Sequence, residues 1–288
     1  MLDVEKTPVA YFVYDLEFIG DINVLSSCRI WDISIACVDT GETFNAIVEP
    51  DSTLREIPPP VVDGLFPLTR LFLEEHHVVA FKTAWEKMVD WVNARRTNPV
   101  VLISHNNFLS DKPILEQHIV RHQAGVPSSW FLYDSLHYFR DNYKTYDYSL
   151  KGLAKSIMYR AHDHAHRARA DTIMLTDCLE KHTNGTWHLN GFAYPLFVNS
   201  LRCIRGIGQT VEAILLERGF TNENELLSRA NLCIQHDLFA QQPLQKSLNF
   251  MLLQIFYGVA VPVSTVQTIS NTLLNNFKRT QLVNNIFN

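Results

Sequence analysis

Asp15 and Glu17 stand one residue apart in YFVYDLEFIG, Asp111 opens DKPIL after LISHNNFLS, and Asp171 closes HRARAD, five residues after His166. Side chains alternate along an extended chain, so a D-x-E pair on a strand puts both carboxylates on one face. Two like charges held that close are unfavourable unless a cation joins them. Oxygen donors alone suit Mg²⁺ or Mn²⁺, which take a few carboxylates and complete their coordination with phosphate and water. Each acid taken singly also has a plainer reading. The D-x-E pair serves as an acidic turn at a strand end, and Asp111 as an acid favoured at a helix N-terminus. His166 belongs to a trio with His162 and His164. An imidazole with an ordinary pKa of about 6.5 can accept a proton from water at neutral pH. The trio reads equally as a solvated loop or, through H-x-H, as a zinc site. In the zinc register the required Asp falls on His166 and the last His on Arg167, and the other acids are left without a role.

The elements that must hold these residues are visible in the hydrophobic pattern. Residues 9–16 are β-branched and aromatic, short and turn-bounded, which predicts a buried central strand. Residues 29–38 and 42–48 predict two more strands, joined by the hairpin signal Asp39-Thr40-Gly41. After a Pro-rich stretch at 57–60, Phe81, Trp85, Met88, Val89 and Val92 fall at helical spacing within 81–95. A fourth strand is expected at 100–104, a helix at 111–121, a fifth strand at 130–133, and helices at 149–159 and 169–181. Three antiparallel-compatible strands followed by alternating strand and helix predict an α/β fold, a mixed five-stranded sheet flanked by helices. Strand signals vanish from about Leu196, and Asn184-Gly185 and Pro195 bracket the change. The expected division is a first domain over 1–190 and a smaller all-α region over 195–288.

In this order the three acidic segments resemble the motifs of the DEDDh (DnaQ-like) exonuclease superfamily. YFVYDLEFIG resembles its D-x-E strand. SHNNFLSD resembles its second motif, with Asp111 one residue farther from His105 than in many members. HRARAD matches the third, H-x-A-x-x-D, a register that selects His166 over His164. YSLKGLAKSI resembles the helix before the third motif, and the likeness covers about residues 8–182. The resemblance implies an RNase H-like fold and a metal-dependent 3′→5′ exonuclease releasing nucleoside 5′-monophosphates from DNA or RNA. It implies two Mg²⁺ or Mn²⁺ ions, one held by Asp15, Glu17 and Asp171 and one by Asp15 and Asp111, with His166 as proton acceptor. Leu16, Phe18, Asn107 and Phe108 become candidates for contacting the terminal nucleotide, while Phe18 and Phe108 read equally as core. His105 and Asn106 either contact the substrate or fix the turn. Two other functions compete: a nucleic-acid-binding scaffold on the same fold, expected to have lost acids, and a zinc hydrolase built on His162, His164 and His166.

The 288 residues carry a net charge of −5, with a pI near 6.2, so no global field draws in nucleic acid and attraction must be local or metal-assisted. Residues 195–288 hold seven Lys/Arg against five Asp/Glu, a net +2 that leaves −7 for the rest. Within them, LRCIRGIGQTVEAILLERGF sets Gly206 and Gly208 between apolar positions at helical spacing. This resembles a helix-hairpin-helix over 201–220, whose glycine turn offers backbone N–H groups to a phosphate. An ordinary helical hairpin fits as well. The apolar run from Phe250 to Tyr257 predicts a helical core, or else a surface for a protein partner or self-association. Five cysteines without a C-x-x-C pair argue against a disulfide framework or a zinc ribbon. With no signal-peptide pattern and no apolar run of the ~20 residues a membrane span needs, a soluble intracellular protein is expected.

Overall fold

The segment that carries Asp15 and Glu17 is buried on both faces at Phe12, Val13 and Tyr14 and forms the spine of a sheet. The computed structural model describes every residue except 23, 51–69, 97–98, 163–166, 199, 241–243 and 287–288. Its strands are β1 (Leu2–Asp3), β2 (Ala10–Ile19), β3 (Arg29–Cys37), β4 (Thr43–Val48), β5 (Val78–Val79), β6 (Val100–Ser104), β7 (Trp130–Asp134) and β8 (Phe192–Pro195). They form one eight-stranded sheet in the order β1-β8-β7-β6-β2-β3-β4-β5. β2 pairs antiparallel with β3 and parallel with β6, and β6 runs parallel to β7. The sheet is mixed, as expected, but it has eight strands where five were expected. The additions, β1, β5 and β8, are two to four residues long, too short to display alternation.

The helices of this part are α1 (Arg70–Glu75), α2 (Phe81–Asn93), α3 (Asp111–Arg121), α4 (Ser135–Asn142), α5 (Leu150–Leu153) and α6 (Ala168–His182). The helix expected at 149–159 is α5 followed by a π-helical turn at Ala154–Met158, closed by Tyr159 at φ 56°. α4 was not anticipated; it follows β7 directly and is capped by Asp134, whose side chain accepts from the Leu136 N–H. The two faces of β2 carry different layers. Val13 packs with Val101, Ile103, Leu175 and Leu179, so the odd-numbered face meets α6. Phe12, on the even face, meets Trp91 of α2 edge-on at 6.1 Å. Leu175 and Leu179 are fully buried, each contributing roughly 1.5–3 kcal/mol and pinning α6 across β2 and β3.

The chain divides into two compact units, Met1–Phe197 and Val198–Asn288. β8 pairs with β7, which carries the first unit past residue 190 to Phe197. The second unit comprises α7 (Gln209–Glu217), α8 (Glu223–Ala240), α9 (Leu244–Ile255) and α10 (Val263–Ile286) around its own core of Leu201, Ile204, Leu215, Leu226, Leu252 and Ile269. The helix-hairpin-helix expected over 201–220 does not form as a pair of helices. Its upstream arm is one 3-10 turn, Leu201–Cys203. Gly206 has φ +99°, and a Cβ there would stand 3.0 Å from Ile269 Cγ1, so this glycine serves close packing on α10. Gly208 precedes α7 with open space around it. In the apolar tail Met251, Leu252 and Phe256 are buried, whereas Phe250 and Tyr257 are exposed. No helix among the described residues is long and apolar enough to cross a membrane. Among the described residues, Cys28, Cys37, Cys178 and Cys203 take part in no disulfide.

Candidate active site

Asp15 and Glu17 project from the odd-numbered face of β2 toward α6, and Asp171 lies in the first turn of α6. One carboxylate oxygen from each of the three lies within 4.8 Å of the others. Two local features make this meeting possible. The register between β2 and β3 shifts between Glu17 and Phe18, a bulge that redirects the strand end beside the acids. The N-terminal turn of α6 offers a favourable potential for the negative charge of Asp171. Crowding has a marked electrostatic consequence. Burial, and then the carboxylates of Asp111, Asp171 and Glu17, push the Asp15 carboxyl well above the usual range. Burial and the neighbouring Asp171 push Glu17 up to about 9.

Asp111 opens α3 at the carboxyl end of β6 and is 3% exposed. Its Oδ2 accepts from Ser104 Oγ at 2.8 Å and its Oδ1 from the Leu16 backbone N–H at 3.1 Å, so it clamps β6 to β2 beside Asp15. Burial pushes its carboxyl up to about 7. The loop leading to it is locked from below. Asp134 accepts from the Phe108 N–H at 3.1 Å, with the Asn107 and Asn106 N–H groups also directed to it. Asn106 takes φ 61°, a left-handed conformation that Asn tolerates.

The nucleotide-contact candidates on this loop are mostly occupied in building it. The His105 ring bridges Ser135 Oγ at 3.0 Å and the Tyr148 carbonyl at 2.7 Å, and burial pulls its pKa down to about 4. Asn107 is fully buried, accepting from Tyr14 Oη at 2.6 Å and donating to the Tyr133 carbonyl at 3.0 Å. Phe108 is buried against His137 and Tyr194. Leu16 is buried and Phe18 half-buried, while Leu109, just before Asp111, is exposed. Gly206 and Gly208 belong to the second unit.

His164 and His166, like the Pro-rich stretch 57–60, lie outside the described residues. Among the described residues, the histidine that meets the acids is His162, whose Nε2–H donates to Asp171 Oδ1. Nothing in motif spacing singled it out. A second contribution missed in the sequence is Asp32 on β3, the cross-strand partner of Glu17 and fully buried. It accepts from Asn45 Nδ2 at 2.7 Å and from Arg167 Nε at 3.2 Å, and the Ala168 N–H is directed to it, so it anchors the start of α6. An acid inside the apolar run RIWDISIAC was the available signal, since a buried charge requires partners. Asp134 had one too: an acid ending a strand just before a helix is an N-cap pattern.

Comparison with known proteins gave no matching family model and no significantly similar curated sequence. Solved structures do match. Cell-death related nuclease 4 is 13% identical at a TM-score of 0.49, covering 62% of this chain and 65% of that one. The nuclease domain of 3′hExo, described as a DEDDh family member bound to rAMP, is 14% identical at 0.49, covering 63% and 94%. The zinc-bound E. coli ExoI–ssDNA complex is 15% identical at 0.48, covering 62% and 41%. This chain thus spans less than two thirds of the length of the first and of the last, and the three likenesses cover 62–63% of this chain.

Proposed function

We propose that the first unit is a metal-dependent 3′→5′ exonuclease, hydrolysing phosphodiester bonds of DNA or RNA from the 3′ end and releasing nucleoside 5′-monophosphates. The observation that carries this reading is the convergence of Asp15, Glu17 and Asp171 oxygens within 4.8 Å, on the residues whose motifs resemble the DEDDh pattern. The donor set fits divalent cations. It is all oxygen, which suits Mg²⁺ or Mn²⁺ over zinc. Burial, and after it the neighbouring carboxylates, drives Asp15 and Glu17 toward protonation when no cation is present. Two such ions, when bound, supply an acidified water and charge stabilisation for the leaving oxygen.

The chain's own groups do the positioning. Asp15, Glu17 and Asp171 would hold one ion, and Asp15 with Asp111 the other. Asp111 is fixed for this by Ser104 and the Leu16 N–H, which orient its carboxylate. His166 takes the proton of the attacking water, and the 3′ oxygen of the penultimate nucleotide leaves. Phe18, half-buried next to Glu17, and Leu109, exposed just before Asp111, are accessible for the terminal nucleotide. The test is a panel of end-labelled single- and double-stranded DNA and RNA with Mg²⁺, Mn²⁺ or chelator. Stepwise shortening from the 3′ end that requires the metal is expected; shortening that persists in chelator rejects the reading.

A further inference from the structure

The His162 side chain is 2% exposed, and its Nε2 meets Asp171 Oδ1. Its other ring nitrogen, Nδ1, is buried with no hydrogen-bond partner among the described residues. With the proton on Nε2, Nδ1 is an acceptor taken out of water and left unmet, which is unfavourable. Among the described residues, the polar bond on this ring that offsets it is the contact with Asp171. A ring retained on such terms is fixed by what it does to its partner. Asp171 is the only one of the three clustered acids that comes from outside β2, so its rotation about its own side-chain torsions decides whether three oxygens converge or two.

We propose that His162 is a positioning residue for the metal-binding carboxylates: its Nε2–H holds Asp171 Oδ1 and fixes the carboxylate in the orientation that completes the set with Asp15 and Glu17. This rests on the reading of these acids as a divalent-metal site. It gives the chain two histidines with separate duties. His162 orients an acid and does not touch the reacting atoms, whereas the proton-accepting role belongs to His166. Asp111 has the corresponding support from Ser104 and the Leu16 N–H, so the acids at the periphery of the set are each held by an outer hydrogen bond.

The experiment is calorimetric titration of the full chain with Mn²⁺, without substrate, for wild type, His162→Ala, His162→Phe and His162→Gln, with thermal unfolding of each by circular dichroism. His162→Phe keeps a ring without the donor, a second route to the result where alanine collapses the site. Glutamine places an amide N–H close to where imidazole carries Nε2–H. The expected result is Mn²⁺ affinity about 10-fold lower or weaker still in the folded Ala and Phe variants, with most of the loss recovered by Gln. Affinity equal to or tighter than wild type in both Ala and Phe overturns the proposal, the tighter case marking His162 as a competitor for Asp171. Loss in Gln equal to that in Phe also overturns it, because the hydrogen bond is then not what matters. Wild type that binds no Mn²⁺ removes the metal-site reading itself and this inference with it, an outcome distinct from intact binding that His162 does not influence.

Discussion

At the scale of residues, burial first, and then the nearness of other carboxylates, sets the acids of the site apart. A carboxyl whose pKa is higher in the folded than in the unfolded chain takes up a proton on folding. That group favours the fold below its unfolded pKa, and the benefit is lost as pH rises through the folded value. Glu17 is pushed up to about 9 and Asp111 up to about 7, against about 4.3 and 3.9 unfolded. Their window therefore runs from about pH 4 to pH 9. Metal-free protein is expected to melt at a lower temperature at pH 8 than at pH 5. Mn²⁺ should restore more at pH 8, where the ion has fewer protons to displace. Glu17→Gln should flatten the fall; a melting temperature rising from pH 5 to pH 8 in chelator, equally in both proteins, contradicts it. The pairing of Asp15 with Glu17 was legible in the sequence because strand alternation dictates it. Asp32 was less so: its partners Asn45 and Arg167 come from a neighbouring strand and from 135 residues away, and no local pattern encodes such a meeting.

At the scale of elements, the acids stand at the end of β2 and the starts of α3 and α6, and a buried carboxylate secures the approach to each helix. Asp134 ties the 105–110 loop to β7 and caps α4. Asp134→Ala should cost about 2–3 kcal/mol in denaturant unfolding and lower turnover through Asp111; a loss below a few tenths of a kcal/mol would show that the loop holds itself. Asp32 secures the start of α6 in the same way. Asp32→Ala leaves the Arg167 guanidinium facing a buried void and should cost about 3 kcal/mol, with Mn²⁺ affinity falling alongside because Asp171 rides on α6. Unchanged affinity in the folded variant would separate Asp32 from the metal site. The long elements β2, β3, α3 and α6 were visible in the sequence because periodicity needs length to register. β1, β5 and β8 were not, since two to four residues owe their conformation to the strand beside them. The π-helical turn at Ala154–Met158 escaped for a related reason: its residues carry an ordinary helical pattern.

At the scale of the whole molecule, two cores divide the chain. The first unit contains every described acid of the site, and the second buries Leu201, Leu226, Leu252 and Ile269 around one another. Residues 1–197 are therefore expected to fold alone, with a cooperative melt, and to retain Mn²⁺ binding. A fragment that is unfolded, or that binds no metal while the full chain does, shows the second unit to be part of the site. The second unit's excess of basic residues locates a further prediction. If it contributes phosphate contacts, its removal raises KM in a salt-sensitive way with little change in kcat.

The most direct measurement is hydrolysis of a 5′-labelled single-stranded oligonucleotide by wild type and Asp15→Ala, with Mn²⁺ and with chelator, both proteins first shown to be folded by circular dichroism. The expected result is a ladder shortening from the 3′ end with mononucleotide 5′-phosphate as product, seen with wild type and Mn²⁺ alone and reduced by about 10²-fold or more in Asp15→Ala. Undiminished activity in the purified Asp15→Ala protein, or in wild type with chelator, would contradict a metal-dependent nuclease built on these carboxylates.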